Sequence, residues 1–367
     1  MKLKIQVPNR ETNIELIRVI SIIMIIAHHY ALYSGFTFGN EVTVNKIIID
    51  IFSAFGKVGV ALFIIISGYF YNKSKVTVKK VISLFVQVWL YSIIGLSIGI
   101  CIGSNELSIE NIIKSIFPVI FGRYWFITCY ILLYLFSPFL KIIIEKFEKQ
   151  ELKKCILLMC FIWTIIAIIP KNKVYGSDFI NFILLYMIGA YISKYEYKFF
   201  KNKRQRIIAM LTVIILMISI MIILECIATK IPFISEHVRH FNALSSPLVL
   251  VLTVLTFEIF KEIKMKPNSL INIASTTILG IYLIHDNIFL RDIIWEKLIK
   301  GANLINYEPI YLICNAIIGI LGVFIICAII DLLMKNTLQK FFIKVSENVY
   351  SKIRENIKNK KNRRNVI

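Results

Sequence analysis

The side chains here that could do chemistry are an imidazole and a guanidinium set into one apolar stretch. The segment RVISIIMIIAHHY opens with Arg18 and approaches its end with His28 and His29. At about 100° per residue on a helix, the eleven steps from Arg18 to His29 make three turns plus about 20°. Both side chains therefore face one side, about 16 Å apart, and His28 is turned about 80° away. An ionisable group at membrane depth is costly and normally faces a cavity or a partner. Histidine is also the side chain that exchanges protons near neutral pH. Each residue has a plainer reading: Arg18 as the basic flank of a span, and His29 as a polar residue near the headgroups.

The elements that must hold these groups are membrane helices. Of the 367 residues, 57% are hydrophobic and 18% charged, and the mean hydropathy is +0.74. Apolar runs such as 207–224 are long enough to cross a hydrocarbon core of about 30 Å as helices. Backbone groups in lipid must be satisfied internally, and no β-barrel alternation appears. The fold class expected is all-α: a polytopic transmembrane bundle of about ten spans, with both termini cytoplasmic. The spans fall at 14–33, 46–71, 81–102, 118–140, 155–170, 178–193, 207–226, 243–259, 269–290 and 309–333. The first reads as a retained span, since it lacks a small-residue cleavage pattern. Residues 1–340 would form the transmembrane domain and 341–367 a basic cytoplasmic tail.

The net charge of +21 could suggest nucleic acid. Its placement argues otherwise. Most of the 43 Lys and Arg fall in connections that a ten-span arrangement leaves on one side, as the positive-inside rule requires. The basic tail suits anionic lipid headgroups instead. Gly56, Lys57 and Gly59 interrupt the second span, which reads either as a broken helix beside an enclosed cavity or as a tilted helix whose lysine snorkels. No second break matches it, and no internal repeat is visible. The seven cysteines have no CxxC pair and no metal spacing, and read as small buried hydrophobes. His237 and His240 fall in a loop, and Glu225 is either a pocket residue or a snorkelling one.

Four strings in order resemble the membrane-bound acyltransferase-3 family. They are Arg18 with His29 ten intervening residues later, VGVALFIIISGYFY with Ser67, Gly68 and Tyr69, Tyr124-Trp125-Phe126 opening a helix that ends in SPFL at 137–140, and IYLIH with Tyr282 and His285. The resemblance implies transfer of an acyl group, usually acetyl from cytoplasmic acetyl-CoA, onto carbohydrate or another acceptor at the outer face. It makes His29 the catalytic histidine and Arg18 its partner. General-base activation of an acceptor hydroxyl by His29 would then precede attack on the acyl carbonyl. A stepwise route would place the acyl group on Tyr69 or Ser67 first. Ser67 and Gly68 could equally serve close helix approach.

Where family members carry arginines suited to the phosphates of CoA, this chain offers Lys73, Lys75, Lys79 and Lys80. Lysine meets phosphate as a point charge without arginine's fork, and the positive-inside rule explains all four without a ligand. Arg123, Trp125 and His285 could line an acceptor pocket with His29, although an aromatic belt would also place Tyr124 and Trp125 at an interface. The expectation is a multi-pass plasma-membrane O-acetyltransferase with no permanently bound cofactor and no metal. Acetyl-CoA would be its donor, and a cell-envelope polysaccharide or lipid-linked precursor its acceptor. The rival reading is a transporter or flippase for a polysaccharide intermediate, whose inverted repeats would show paired broken helices.

Overall fold

The computed structural model describes residues 11–39, 41–73, 76–168 and 177–364, and among these every regular element is helical. The first part of the chain forms α1 (Thr12–Tyr33), α2 (Val44–Ala54), α3 (Gly56–Tyr69), α4 (Val78–Cys101), α5 (Ile109–Ile116) and α6 (Trp125–Lys146). The middle forms α7 (Lys149–Cys160), α8 (Asp178–Tyr195), α9 (Lys203–Ala228) and α10 (Pro247–Lys261). The last part forms α11 (Ser269–Thr276), α12 (Ile278–His285), α13 (Ile288–Asp292), α14 (Pro309–Met334) and α15 (Lys340–Arg364).

Seven helical stretches among the described residues are long and apolar enough to cross a membrane. They are α1, α2 with α3, α4, α6, α9, a stretch ending in α10, and one beginning with α14. The other expected spans fall on shorter or broken elements. The span at 155–170 lies on α7 and the π and 3-10 turns that extend it to Ile168, with 169–170 outside the described residues. The span at 178–193 is α8, and the one at 269–290 is divided between α11 and α12.

Helix α1 sits at the centre, against α2, α3, α11, α12 and α14, which is why it is apolar on nearly every side. Glycines set the spacing of its neighbours. A Cβ on Gly59 would strike the Ser21 carbonyl, and Gly68 and Gly189 let the backbones of α3 and α8 touch at Tyr186 and Ile65. Gly68 thus serves close helix approach. By contrast, α9 and α14 turn rows of isoleucine outward (Ile215 and Ile223, Ile318 and Ile326), a surface suited to lipid rather than water.

The second span is broken, at Phe55, where α2 ends and α3 begins. The expectation that no second break matches it is overturned. The chain breaks again at Thr277 between α11 and α12, and at Asp286–Asn287 before α13. The apolar letters around Gly280 conceal this. Gly280 has no side chain because the Asp331 carboxylate of α14 occupies that space. Helix α6 also does not stop at the SPFL string. Pro138 has no N–H for the Tyr134 carbonyl, but the Ser137 hydroxyl donates to it at 2.8 Å, and the helix continues to Lys146. The cysteines need correction too: only Cys327 is buried, while Cys101, Cys226 and Cys314 are exposed on the apolar surface.

Candidate active site

One stripe of α1 carries the arrangement. Arg18, Ile22 and Ile25 line a cavity of about 560 Å3 walled also by α3, α4, α6 and α12, and His29 is the next residue on that stripe, one turn beyond Ile25. Arg18 opens the cavity together with Lys335, Gln87, Ser275 and Thr276, while Phe126 and Tyr282 close it toward His29. His29 itself does not line it.

At the closed end, His29 is 7% exposed and His285 fully buried. His29 Nδ1 lies 2.9 Å from His285 Nε2, and His285 Nδ1 lies 2.6 Å from the Ile281 carbonyl. These contacts assign the protons. A carbonyl oxygen only accepts, so the Nδ1–H of His285 donates to Ile281, and a neutral His285 has its lone pair on Nε2. That lone pair accepts from the Nδ1–H of His29. The free lone pair of His29 is therefore on Nε2, the atom a general base needs.

A carboxylate backs the pair. Asp286 Oδ1 is 3.9 Å from His29 Nδ1 and 3.9 Å from Arg291 Nε, and it accepts from the Tyr33 hydroxyl at 3.3 Å. The Arg291 guanidinium lies over the Tyr33 ring at 4.4 Å. The break after His285 makes this possible: it ends α12 so that Asp286 turns toward α1 while Asn287 caps α13. The Nδ1–H of His28 donates to the Ser53 carbonyl at 2.7 Å, which ties α1 to α2.

The remaining expected residues divide. Ser67 lines the cavity, and its hydroxyl donates to Phe63 within its own helix at 2.9 Å. Tyr69 is not brought there; its ring packs on Phe70 and Phe257 beneath the ammonium of Lys261. Trp125 lies at the other end, with the Lys57 ammonium 3.9 Å from its ring centre. Tyr124 is buried rather than belted at an interface. It accepts from Asn287 at 2.8 Å and so holds the start of α6 to the break after α12. Arg123 donates to Asn111 at 2.8 Å and faces the Phe289 ring.

The lysine loop stands apart from the cavity. Lys73 pairs with Glu11 and Lys79 with Glu347 on α15, Lys80 is exposed, and Lys75 lies outside the described residues. Glu225 pairs with Lys46 at 2.5 Å. His237 and His240 bond to the Phe233 and Ile168 carbonyls. Among the described residues, no cluster of three or more His, Cys, Asp or Glu could hold a metal.

Sequence reasoning missed Glu15, Lys335, Asp331, Tyr33, Asp286 and Arg291. Arg18 is held by Glu15 at 3.0 Å, and Lys335 by Asp331 at 2.7 Å. Asp331 is wholly buried and also accepts from Tyr91 at 2.7 Å and Gln339 at 3.2 Å. Asp286 follows the IYLIH string directly, and a carboxylate inside an apolar run was the available signal. Tyr33 lies four residues beyond His29, on the same face.

No curated protein and no solved structure matches this chain. Residues 11–332, which include Arg18 and the histidine pair, match the acyltransferase domain of the acyltransferase-3 family. The chain therefore belongs to the acyltransferase-3 family of membrane acyltransferases.

Proposed function

We propose that the protein is a plasma-membrane O-acetyltransferase. It takes acetyl from cytoplasmic acetyl-CoA and passes it to a hydroxyl of a cell-envelope polysaccharide or its lipid-linked precursor. The observation that carries the reading is the α1 stripe, which leads from two cations along a cavity to a histidine whose Nε2 lone pair is free.

The pantetheine arm enters beside Arg18 and Lys335 and runs along Ile22 and Ile25. The cavity stops one turn short of His29, so the arm must part the rings of Phe126 and Tyr282 to deliver its thioester. Nε2 of His29 then takes the proton of the acceptor hydroxyl as the oxygen attacks the thioester carbon. The new C–O bond forms, the C–S bond breaks, and the imidazolium returns the proton to the departing thiolate. His285, which accepts the Nδ1–H, and Asp286, by its charge 3.9 Å away, support the imidazolium in between. The bundle keeps water from the thioester.

Direct transfer fits better than a covalent intermediate, because Tyr69 packs on α10 and the Ser67 hydroxyl is tied to Phe63. Paired broken helices also suit a transporter. Here, however, the break after α12 brings His285 and Asp286 to His29. The test is transfer of radiolabel from acetyl-CoA to envelope saccharide by purified protein in lipid. Transfer without a burst or trapped adduct is expected. Saccharide movement across vesicles with no acetyl transfer would replace this reading with transport.

A further inference from the structure

Lys57 has no role in the steps above, and it lacks the carboxylate that several other cations of the bundle have. Lys46 is held by Glu225, Arg239 by Asp50, Arg18 by Glu15 and Lys335 by Asp331. Lys57 is half-buried beside the break at Phe55, yet it has no carboxylate at ion-pair distance and no hydrogen bond among the described residues. Its ammonium rests on the indole of Trp125 at 3.9 Å. Asp178 and Asp286 act on it only through space. A cation at membrane depth without a counter-ion is costly unless a ligand supplies one.

Its position ties that ligand to the chemistry. Gly56, the preceding residue, is pressed against His28, so that any Cβ there would collide with the imidazole. Lys57 therefore stands next to the histidine end of α1, within electrostatic reach of both His28 and His29. Arg291 and Arg123 flank the same region. Arg123 carries a buried Nη2 with no partner, and Arg291 and Asp286 act on it through space.

We propose that Lys57 and Trp125 form an acceptor subsite for an anionic saccharide. The acceptor's phosphate or carboxylate would bind the Lys57 ammonium, its sugar ring would lie on the indole face, and a neighbouring hydroxyl would reach Nε2 of His29. The cation–π contact holds the ammonium in place while the site is empty. The proposal rests on the acyl-transfer reading and adds the charge of the acceptor, which that reading leaves open.

The experiment starts from membranes that contain the natural acceptor. Full-length protein is supplied with radiolabelled acetyl-CoA, and the labelled saccharide is passed over an anion exchanger. The label is expected to bind. Release by mild acid would identify a sugar phosphate, and release after carboxyl reduction a uronic acid. Label that flows through as neutral saccharide overturns the proposal but leaves acetyl transfer standing, whereas no acetyl transfer at all rejects the reading beneath it.

The extracted acceptor then serves as substrate for purified variants. Lys57→Gln is expected to raise its KM about tenfold or more, the usual worth of a charge-assisted bond. The KM for acetyl-CoA should not move, and Lys57→Arg should restore most of the acceptor affinity. An unchanged acceptor KM in Lys57→Gln overturns the assignment. If that variant fails to fold, the charge of the labelled product still decides.

Discussion

The Arg18 end and the His29 end of α1 use charge in opposite ways. Beside Arg18 and on the lysine loop outside the cavity, four cations come with carboxylates: Glu15 for Arg18, Asp331 for Lys335, Glu11 for Lys73 and Glu347 for Lys79. Around His29 the polar groups are wired in series, from Tyr33 through Asp286 and from His29 through His285 to Ile281, while Lys57 has no counter-ion. A balanced end can admit a charged substrate and release it without a deep trap. An end wired in one direction fixes which nitrogen is basic. The difference suits entry at one end and reaction at the other, and substitutions at the two ends should separate in kind.

The largest effect belongs to His29. His29→Ala removes the proposed base and should lower kcat by about 10^2- to 10^4-fold, the usual worth of general-base catalysis. Its thermal stability and membrane level should stay near wild type. Turnover within a few-fold of wild type would take the chemistry away from this end altogether.

His285 comes next. His285→Leu keeps volume but removes the acceptor that fixes His29's Nδ1–H. A drop in kcat of about 10- to 100-fold is expected, as for other residues that orient a reacting group, with the KM for acetyl-CoA unchanged. If KM rises and kcat holds, His285 belongs to binding, and the two ends of α1 share that task.

Legibility in the sequence follows the same division. The α1 stripe could be read because a helix has a fixed angle per residue, and Arg18, Ile22, Ile25 and His29 obey it. The break near Lys57 could be read because glycines and a charge are visible in an apolar run. The break at Thr277 could not. No proline or charge marks it, and the Asp331 carboxylate that fills the place of a Gly280 side chain nearby comes from 51 positions further on. The ion partners of the cavity were hidden for a related reason. Glu15 looks like an ordinary first-turn carboxylate, and Lys335 like one more basic residue past a span, until the bundle turns both toward one space. Tyr69 errs the other way: it lies in the right string, but two residues on from Ser67 it faces α10.

At the Arg18 end, the informative variant is Arg18→Lys. Alanine would remove the charge and the fork together. Lysine keeps the charge and loses the fork. The KM for acetyl-CoA should rise about threefold to tenfold, the worth of one lost charge-assisted bond, with kcat within about twofold. A fall in kcat at constant KM would instead make Arg18 part of the reaction.

The smallest effect should come from Lys79→Ala. Its partner Glu347 is 3.2 Å away, but the lysine side chain is 75% exposed and the glutamate 29%. Such pairs contribute about 0–1 kcal/mol, further weakened by salt. The KM for acetyl-CoA should change by less than about twofold at physiological ionic strength. If Lys79→Ala raises that KM as much as Arg18→Lys does, and the effect fades with salt, then the phosphates of CoA sit on the lysine loop. The balanced charges around Arg18 would then serve only the uncharged pantetheine arm, and donor recognition would begin outside the cavity, at a surface where every contact is exchanged with water.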